Sequence, residues 1–280
     1  MKNILTWIRI IRPQTLPASF CPVMIGLLSV PVHSAGTAVI TLLCALCLQI
    51  LSNLINDYYD YIRGADQSGR MGFKRSLAEG EVTIRQILTA IFIVLCAAIG
   101  MGAYLIYQGG WPILLIGLSA LLFAWLYTAT PYSLSYLGIA DIFVFIYYGV
   151  VASAGTAYLQ TGTFSLTAFL SGGVCGLLSM CILMINNIRD MQDDALTGKR
   201  TLPVRFGKQA GEIVMMSCII NTPFFSFFAY GFNISMLIIF PALYVYYGTR
   251  HAEGKAYNKY LALMGLTNII YVLLVACMKI

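Results

Sequence analysis

Charge is scarce in this chain. Of its 280 residues only 10% are Asp, Glu, Lys or Arg, where a soluble globular domain carries about 25%. No stretch has the composition of a soluble domain, so residues 1–280 read as one membrane-embedded unit. Histidine is also nearly lacking: His33 and His251 are isolated, fall on opposite sides of the membrane in the topology drawn below, and so exclude a hydrolase triad. Cysteine clusters with metal or redox spacing are missing too. Cys44 and Cys47 form a C-x-x-C, but inside an apolar run with no second pair nearby, and the eight cysteines read as buried packing. The N-terminus has a basic start, with Lys2 after Met1, but offers no convincing small-residue cleavage site, and Pro13, Pro17 and Pro22 interrupt it, so the first helix is expected to be retained.

What is present is hydrophobic sequence, 59% of the chain. Apolar runs of roughly 20 residues, each enough to cross the hydrocarbon core, fall at about 14–32, 37–56, 86–108, 111–129, 138–159, 166–187, 212–231, 234–250 and 260–278. The expected fold is an all-α integral membrane protein of about nine transmembrane helices around a central cavity. With a cytoplasmic N-terminus, every Lys and Arg except Lys279 lies on the cytoplasmic side of that layout, as the positive-inside rule requires. The acids follow the same side, and the opposite loops carry no charge. The net charge of +6 therefore follows from topology and from attraction to anionic lipid, and needs no nucleic-acid partner. A bacterial-type cytoplasmic membrane, with the active site facing the cytoplasm, is the expected location.

Two acidic clusters break the apolar pattern. The first is Asn53-Leu54-Ile55-Asn56-Asp57-Tyr58-Tyr59-Asp60 with Asp66 beyond it; the second is Asn186-Asn187-Ile188-Arg189-Asp190-Met191-Gln192-Asp193-Asp194. Carboxylates at a membrane segment are expensive and mark functional sites. Residues three or four apart share a helix face, which groups Asn53 with Asp57, Asn56 with Asp60, Asn186 with Asp190, and Asp190 with Asp194. Such oxygen-rich sets suit a hard divalent cation, Mg²⁺, held by one or two carboxylates with phosphate and water completing its shell. Each cluster is followed by a basic loop, Arg63 to Arg75 and Gly198 to Arg205. Cations next to metal-binding acids imply a polyanionic ligand, most simply a diphosphate. The clusters recur four spans apart, which suggests two pseudo-repeated four-helix halves, each supplying one wall of the cavity. A cation transporter is disfavoured because the acids sit at span ends. A CDP-alcohol phosphotransferase is disfavoured because its D-G-x-x-A-R type motif is absent.

Asn56-Asp57-Tyr58-Tyr59-Asp60 with Asp66, and Asn186, Asp190 and Asp194 at N-x-x-x-D-x-x-x-D spacing, make the chain resemble the UbiA superfamily of intramembrane aromatic prenyltransferases. Within it the likeness is closest to the branch that prenylates 1,4-dihydroxy-2-naphthoate in menaquinone biosynthesis. Arg12 to Pro17, Asn53 to Asp66, Tyr127 to Gly155 and Gly198 to Val204 carry that likeness. The resemblance implies Mg²⁺ as cofactor, bound by Asp57, Asp60, Asp66, Asp190 and Asp194. It implies a polyprenyl diphosphate donor and an aromatic acceptor as partners, with the donor tail in a lipid-open cavity. It assigns catalysis to Asp60, Asp66, Asp190, Asp194 and Lys199. Asn53, Asn56, Arg63, Lys74, Arg75, Tyr127, Asn186 and Arg200 are the expected substrate-binding residues, and Tyr132, Tyr136, Phe143, Tyr147 and Tyr148 further candidates for the cavity lining. Asp141 reads as a residue that orients the acceptor or a basic loop, or as a helix cap. Transfer to 4-hydroxybenzoate or homogentisate, terpene cyclisation on the same metal motifs, and non-catalytic quinone or prenyl-lipid binding stay open at this level.

Overall fold

Short polar residues start the long helices. Ser34 accepts from the Thr37 amide at 3.2 Å, Ser165 accepts from the Ala168 amide at 3.2 Å, and Thr83 and Gln86 form a reciprocal capping box. Each satisfies an amide that the first helical turn leaves without a partner. The resulting structure, a computed structural model, describes residues 2–64, 75–129 and 133–279. It is all-helical over those residues.

The elements are α1 (Lys2–Ile11), α2 (Pro17–Leu28), α3 (Ala35–Ile62), α4 (Ile84–Leu126) and α5 (Leu134–Leu137), followed by α6 (Ala140–Thr161) and α7 (Leu166–Arg189). After them come α8 (Met191–Leu196), α9 (Leu202–Phe206), α10 (Lys208–Tyr230), α11 (Ile239–Arg250) and α12 (Tyr257–Cys277). Among the described residues six helical segments are long and apolar enough to cross a membrane. One of them, α4, has 43 residues, about 65 Å of helix and twice the hydrocarbon thickness. Gly110 breaks it with φ 68° and ψ −153°, and Pro112 follows. The expected runs 86–108 and 111–129 are therefore one helix with a sharp break at the place where the sequence separates them.

α7 forms the centre. In its most apolar stretch 78% of residues are buried, against 17% in α4. One core joins α2, α7, α10, α11 and α12 through Ile25, Leu178, Ile185, Met215, Ile219, Val245 and Met264. A second core packs Ile10 of α1 on Leu51, Leu54 and Ile55 of α3 and on Ile87 and Ile91 of α4. α6 reaches α7 through a π-helical stretch, Ile146–Val151. At that crossing a Cβ on Gly149 would lie 2.6 Å from the Cα of Gly176. The two backbones touch, as small residues allow between membrane helices.

α3 runs to Ile62, past the expected end at residue 56, so the first acidic cluster sits on its last turns. α7 ends at Arg189, Asp190 closes it, and α8 begins at once. Both acidic clusters thus lie where long apolar helices stop.

Candidate active site

The helical repeat aligns Asn56 and Asp60, and their side chains meet: Asn56 Nδ2 donates to Asp60 Oδ2 at 3.2 Å. Asp57 and Asp60 are buried, so each carboxylate must be compensated inside the protein. Arg12 and Arg75 both bind Asp57 Oδ1. Arg75 also lies 3.6 Å from Asp60 Oδ2. Lys199 joins the two clusters, with its Nζ 3.3 Å from Asp60 Oδ2 and 3.6 Å from Asp194 Oδ1. In the second cluster Arg189 donates to both oxygens of Asp190, at 2.7 and 2.8 Å, and to Asn186 Oδ1 at 2.6 Å.

These groups wall a polar cavity lined by Arg12, Asn53, Asn56, Asp57, Asp60, Arg75, Asn186, Arg189, Asp194 and Lys199. An apolar cavity adjoins it, lined by Leu48, Leu105, Ile113, Phe123, Phe143, Tyr147, Val151 and Gly155 among others. Gln49, Ser52, Tyr127, Val144 and Tyr148 line both. The two spaces therefore meet at one junction: charged on the side of the acidic clusters, greasy along α3, α4 and α6. An amphipathic ligand with a polyanionic head and a hydrocarbon tail matches that shape.

Several expected site residues take other places. Asn53 borders the polar cavity, but its Nδ2 donates to the Ile11 carbonyl at 3.0 Å and to Thr15 Oγ1 at 3.1 Å. It ties the segment before α2 to α3. Arg200 is exposed and uses its backbone amide, which donates to the Tyr136 carbonyl at 3.2 Å. Arg63 stacks 4.7 Å from the Tyr136 ring centroid and 5.9 Å from that of Tyr59. Asp190 is buried against Arg189 and is not among the side chains that border the polar cavity. Tyr127 stands at the junction of the two cavities. Asp141 is buried, and its Oδ1 finds no hydrogen-bond partner among the described residues. Asp66, Lys74 and Tyr132 lie outside the described residues.

Two contributors are not among the expected site residues. Arg189 is buried and organises the second cluster; its only sequence signal is its place beside Asp190. Arg12 reads from sequence equally as a topology anchor or a phosphate contact, and here it reaches Asn56 Oδ1 at 3.1 Å as well as Asp57. Its backbone has φ 56°, a left-handed conformation rare for a non-glycine residue, which turns the chain between α1 and α2.

The donor set suits a hard cation. Asp60 Oδ1 is buried and has no hydrogen-bond partner among the described residues, and hard oxygen atoms dominate the nearby acceptors. No group of three or more His, Cys, Asp or Glu converges among the described residues. An incoming polyanion would supply the remaining oxygens, in the usual manner of Mg²⁺.

Fold, composition and site together define an integral membrane protein with a charged chamber opening into an apolar one. The UbiA prenyltransferase family profile matches residues 19–274, and the chain belongs to that family. It is 32% identical over 218 residues to a 1,4-dihydroxy-2-naphthoate octaprenyltransferase of Haemophilus influenzae, covering 74% of this chain and 71% of that protein. It is also 32% identical over 213 residues to the protein of the same name in Escherichia coli, covering 72% and 68%. Two solved structures share its fold. The UbiA homolog from Archaeoglobus fulgidus bound to GPP and Mg2+ superposes with TM-score 0.70 at 18% identity, covering 97% of this chain and 98% of that one. The apo UbiA homolog from Aeropyrum pernix K1 gives TM-score 0.72 at 16% identity, covering 95% and 98%.

Proposed function

We propose that this protein transfers a polyprenyl group from an allylic polyprenyl diphosphate to 1,4-dihydroxy-2-naphthoate, with loss of CO₂, to give demethylmenaquinol. The supporting observation is the junction of the two cavities, where a charged chamber built from both acidic clusters meets an apolar one at Tyr127 and Tyr148. The names of the curated relatives supply the acceptor.

In this reading the diphosphate lies between the clusters and the tail runs along α3, α4 and α6. Asp57, Asp60 and Asp194, with Asp66 outside the described residues, would hold Mg²⁺, which would supply positive charge at the departing diphosphate; Asp190, which Arg189 holds outside the polar cavity, would join them on giving up that pair. Asn56 orients Asp60, and Asn186 steadies Arg189, which holds Asp190. Arg12, Arg75 and Lys199 give the chamber the cations that the leaving group needs as its negative charge grows, and substrate binding extends to Arg63 and Arg200 and, outside the described residues, to Lys74. Tyr127, Tyr147 and Tyr148 present ring faces to the allylic carbon as it becomes cationic, and the apolar walls exclude water. The electron-rich ring carbon bearing the carboxylate forms the new C–C bond. The C–O bond to diphosphate breaks, CO₂ departs with its bonding pair left in the ring, and aromaticity returns.

The membrane layout belongs to the same proposal. Dividing α4 at Gly110 and adding α2 and α11 to the other long helices brings the spans to about nine. Residues 1–280 then act as one prenyltransferase domain made of two related halves, with the charged chamber on the cytoplasmic side. The test is product analysis. Membranes containing this protein, given Mg²⁺, a long-chain polyprenyl diphosphate and carboxyl-labelled 1,4-dihydroxy-2-naphthoate, should release labelled CO₂ and prenylated naphthoquinol in equal amounts. Prenylation of 4-hydroxybenzoate or homogentisate instead would overturn the acceptor, and a cyclised terpene formed without acceptor would overturn prenyl transfer itself.

A further inference from the structure

We propose that Tyr136 is a positioning residue that holds Arg63 and Lys199, one cation from each basic loop, on a single aromatic face so that both remain available to the diphosphate. The inference rests on the proposed function above.

The sequence offers Tyr136 as a cavity-lining aromatic, yet its ring borders neither cavity. It turns to the cations: Arg63 Cζ lies 4.7 Å and Lys199 Nζ 5.8 Å from its centroid. Both distances are within reach of the ring quadrupole. Arg63 follows the last turn of α3, and Lys199 follows α8, so this ring connects the ends of the two acidic motifs. The ring's own position is set by backbone. The Tyr136 amide donates to the Ser133 carbonyl at 2.9 Å, and the Tyr136 carbonyl accepts from the Arg200 amide at 3.2 Å. Arg205 Nη2 donates to the Leu137 carbonyl at 2.7 Å. Gly138, at φ 71°, lies so close to this loop that a Cβ would stand 2.1 Å from the Arg200 carbonyl oxygen. α5 is thereby strapped to the second basic loop, beside Lys199.

The choice of an aromatic matters chemically. A carboxylate at this position would hold two cations but would also cancel their charge and repel a diphosphate. A ring face attracts cations through its quadrupole while carrying no net charge. Arg63 also retains a buried Nη1 with no acceptor among the described residues, a donor free to take a phosphate oxygen. Lys199 has carboxylate partners in Asp60 and Asp194, and the ring gives it a resting point when diphosphate and metal change that pairing. Tyr136 acts through these cations and touches no reacting atom.

The test uses the full chain in detergent, with inorganic diphosphate and Mg²⁺ as the binding probe, together with steady-state kinetics. Tyr136→Phe keeps the ring and should bind within about twofold of the unaltered protein. Tyr136→Leu should weaken binding of magnesium diphosphate, and raise KM for the prenyl donor, by about tenfold, with an unchanged melting temperature and unchanged KM for the acceptor. In a chain already carrying Arg63→Met and Lys199→Met, Tyr136→Leu should cause no further loss. If Tyr136→Leu fails to fold, Tyr136→Gln carries the same expectation. Unchanged diphosphate binding in folded Tyr136→Leu would overturn the inference, as would equal damage from Tyr136→Phe or an undiminished loss in the chain that carries Arg63→Met and Lys199→Met. Failure of the unaltered protein to bind magnesium diphosphate would overturn instead the function on which the inference rests.

Discussion

Replacing Asp60 by Asn exchanges one carboxylate oxygen for an amide nitrogen and deletes one negative charge at a fully buried position. Two cations feel the change, Lys199 at 3.3 Å and Arg75 at 3.6 Å. Stranding a buried charge costs about 3–5 kcal/mol, but neither cation is stranded: Lys199 keeps Asp194, and Arg75 keeps Asp57. The expected loss of stability is nearer that of one charge-assisted hydrogen bond, about 1.5–3 kcal/mol, and Asp60→Asn should remain folded in detergent. Turnover should fall much further. Removing one preorganised charge that supports a leaving group costs about 10²–10³ in rate, and Asp60 Oδ1, which has no hydrogen-bond partner among the described residues, is the oxygen best placed for a cation. The assay pairs thermal unfolding with prenyl transfer from a polyprenyl diphosphate to labelled naphthoate, in graded Mg²⁺ and in EDTA. A folded Asp60→Asn protein with full turnover, or full turnover of the unaltered protein in EDTA, would refute the reasoning.

Three other perturbations test separate parts of the structure. Gly176→Ala places a Cβ 2.6 Å from the Phe145 carbonyl oxygen; it should lower stability by about 1–3 kcal/mol, read as a lower unfolding temperature in detergent. Gly155 lines the apolar cavity facing Ile116, so Gly155→Phe should raise KM for long-chain donors more than for short ones and leave binding of inorganic diphosphate unchanged, as a chain-length series will show. In a background without native cysteines, a cysteine replacing the exposed Leu196 should react with an impermeant thiol reagent from the cytoplasmic side only, and one replacing the exposed Phe232 from the opposite side only; labelling of both from one side would overturn the topology.

The local order of this protein is written in short stretches of its sequence. Scarce charge and long apolar runs require a membrane; Ser34, Thr83 and Ser165 start helices; Gly110 breaks α4; and the four-residue spacing of Asn56 and Asp60 sets them side by side. All of this follows from the backbone repeat, which acts over a few residues. The superfamily motifs marked the two acidic walls for the same reason, since each is contiguous in the chain.

What the tertiary structure decided is the pairing across the chamber. Lys199 lies 139 residues from Asp60, and Arg12 lies 44 from Asn56; no periodicity links such positions, and only the docking of α2, α3 and α7 brings them together. The same docking turned Asn53 into a tie to Ile11 and Thr15, set Asn258 against Arg189, and left Arg200 exposed with a backbone role. It also aimed Tyr136 at two cations, from a four-residue helix too short to carry any pattern. Helical spacing determines which side chains share a face, but a buried charge is compensated by whatever opposite charge the packing brings within a few ångströms. That choice is made by long-range contacts which the local sequence does not encode.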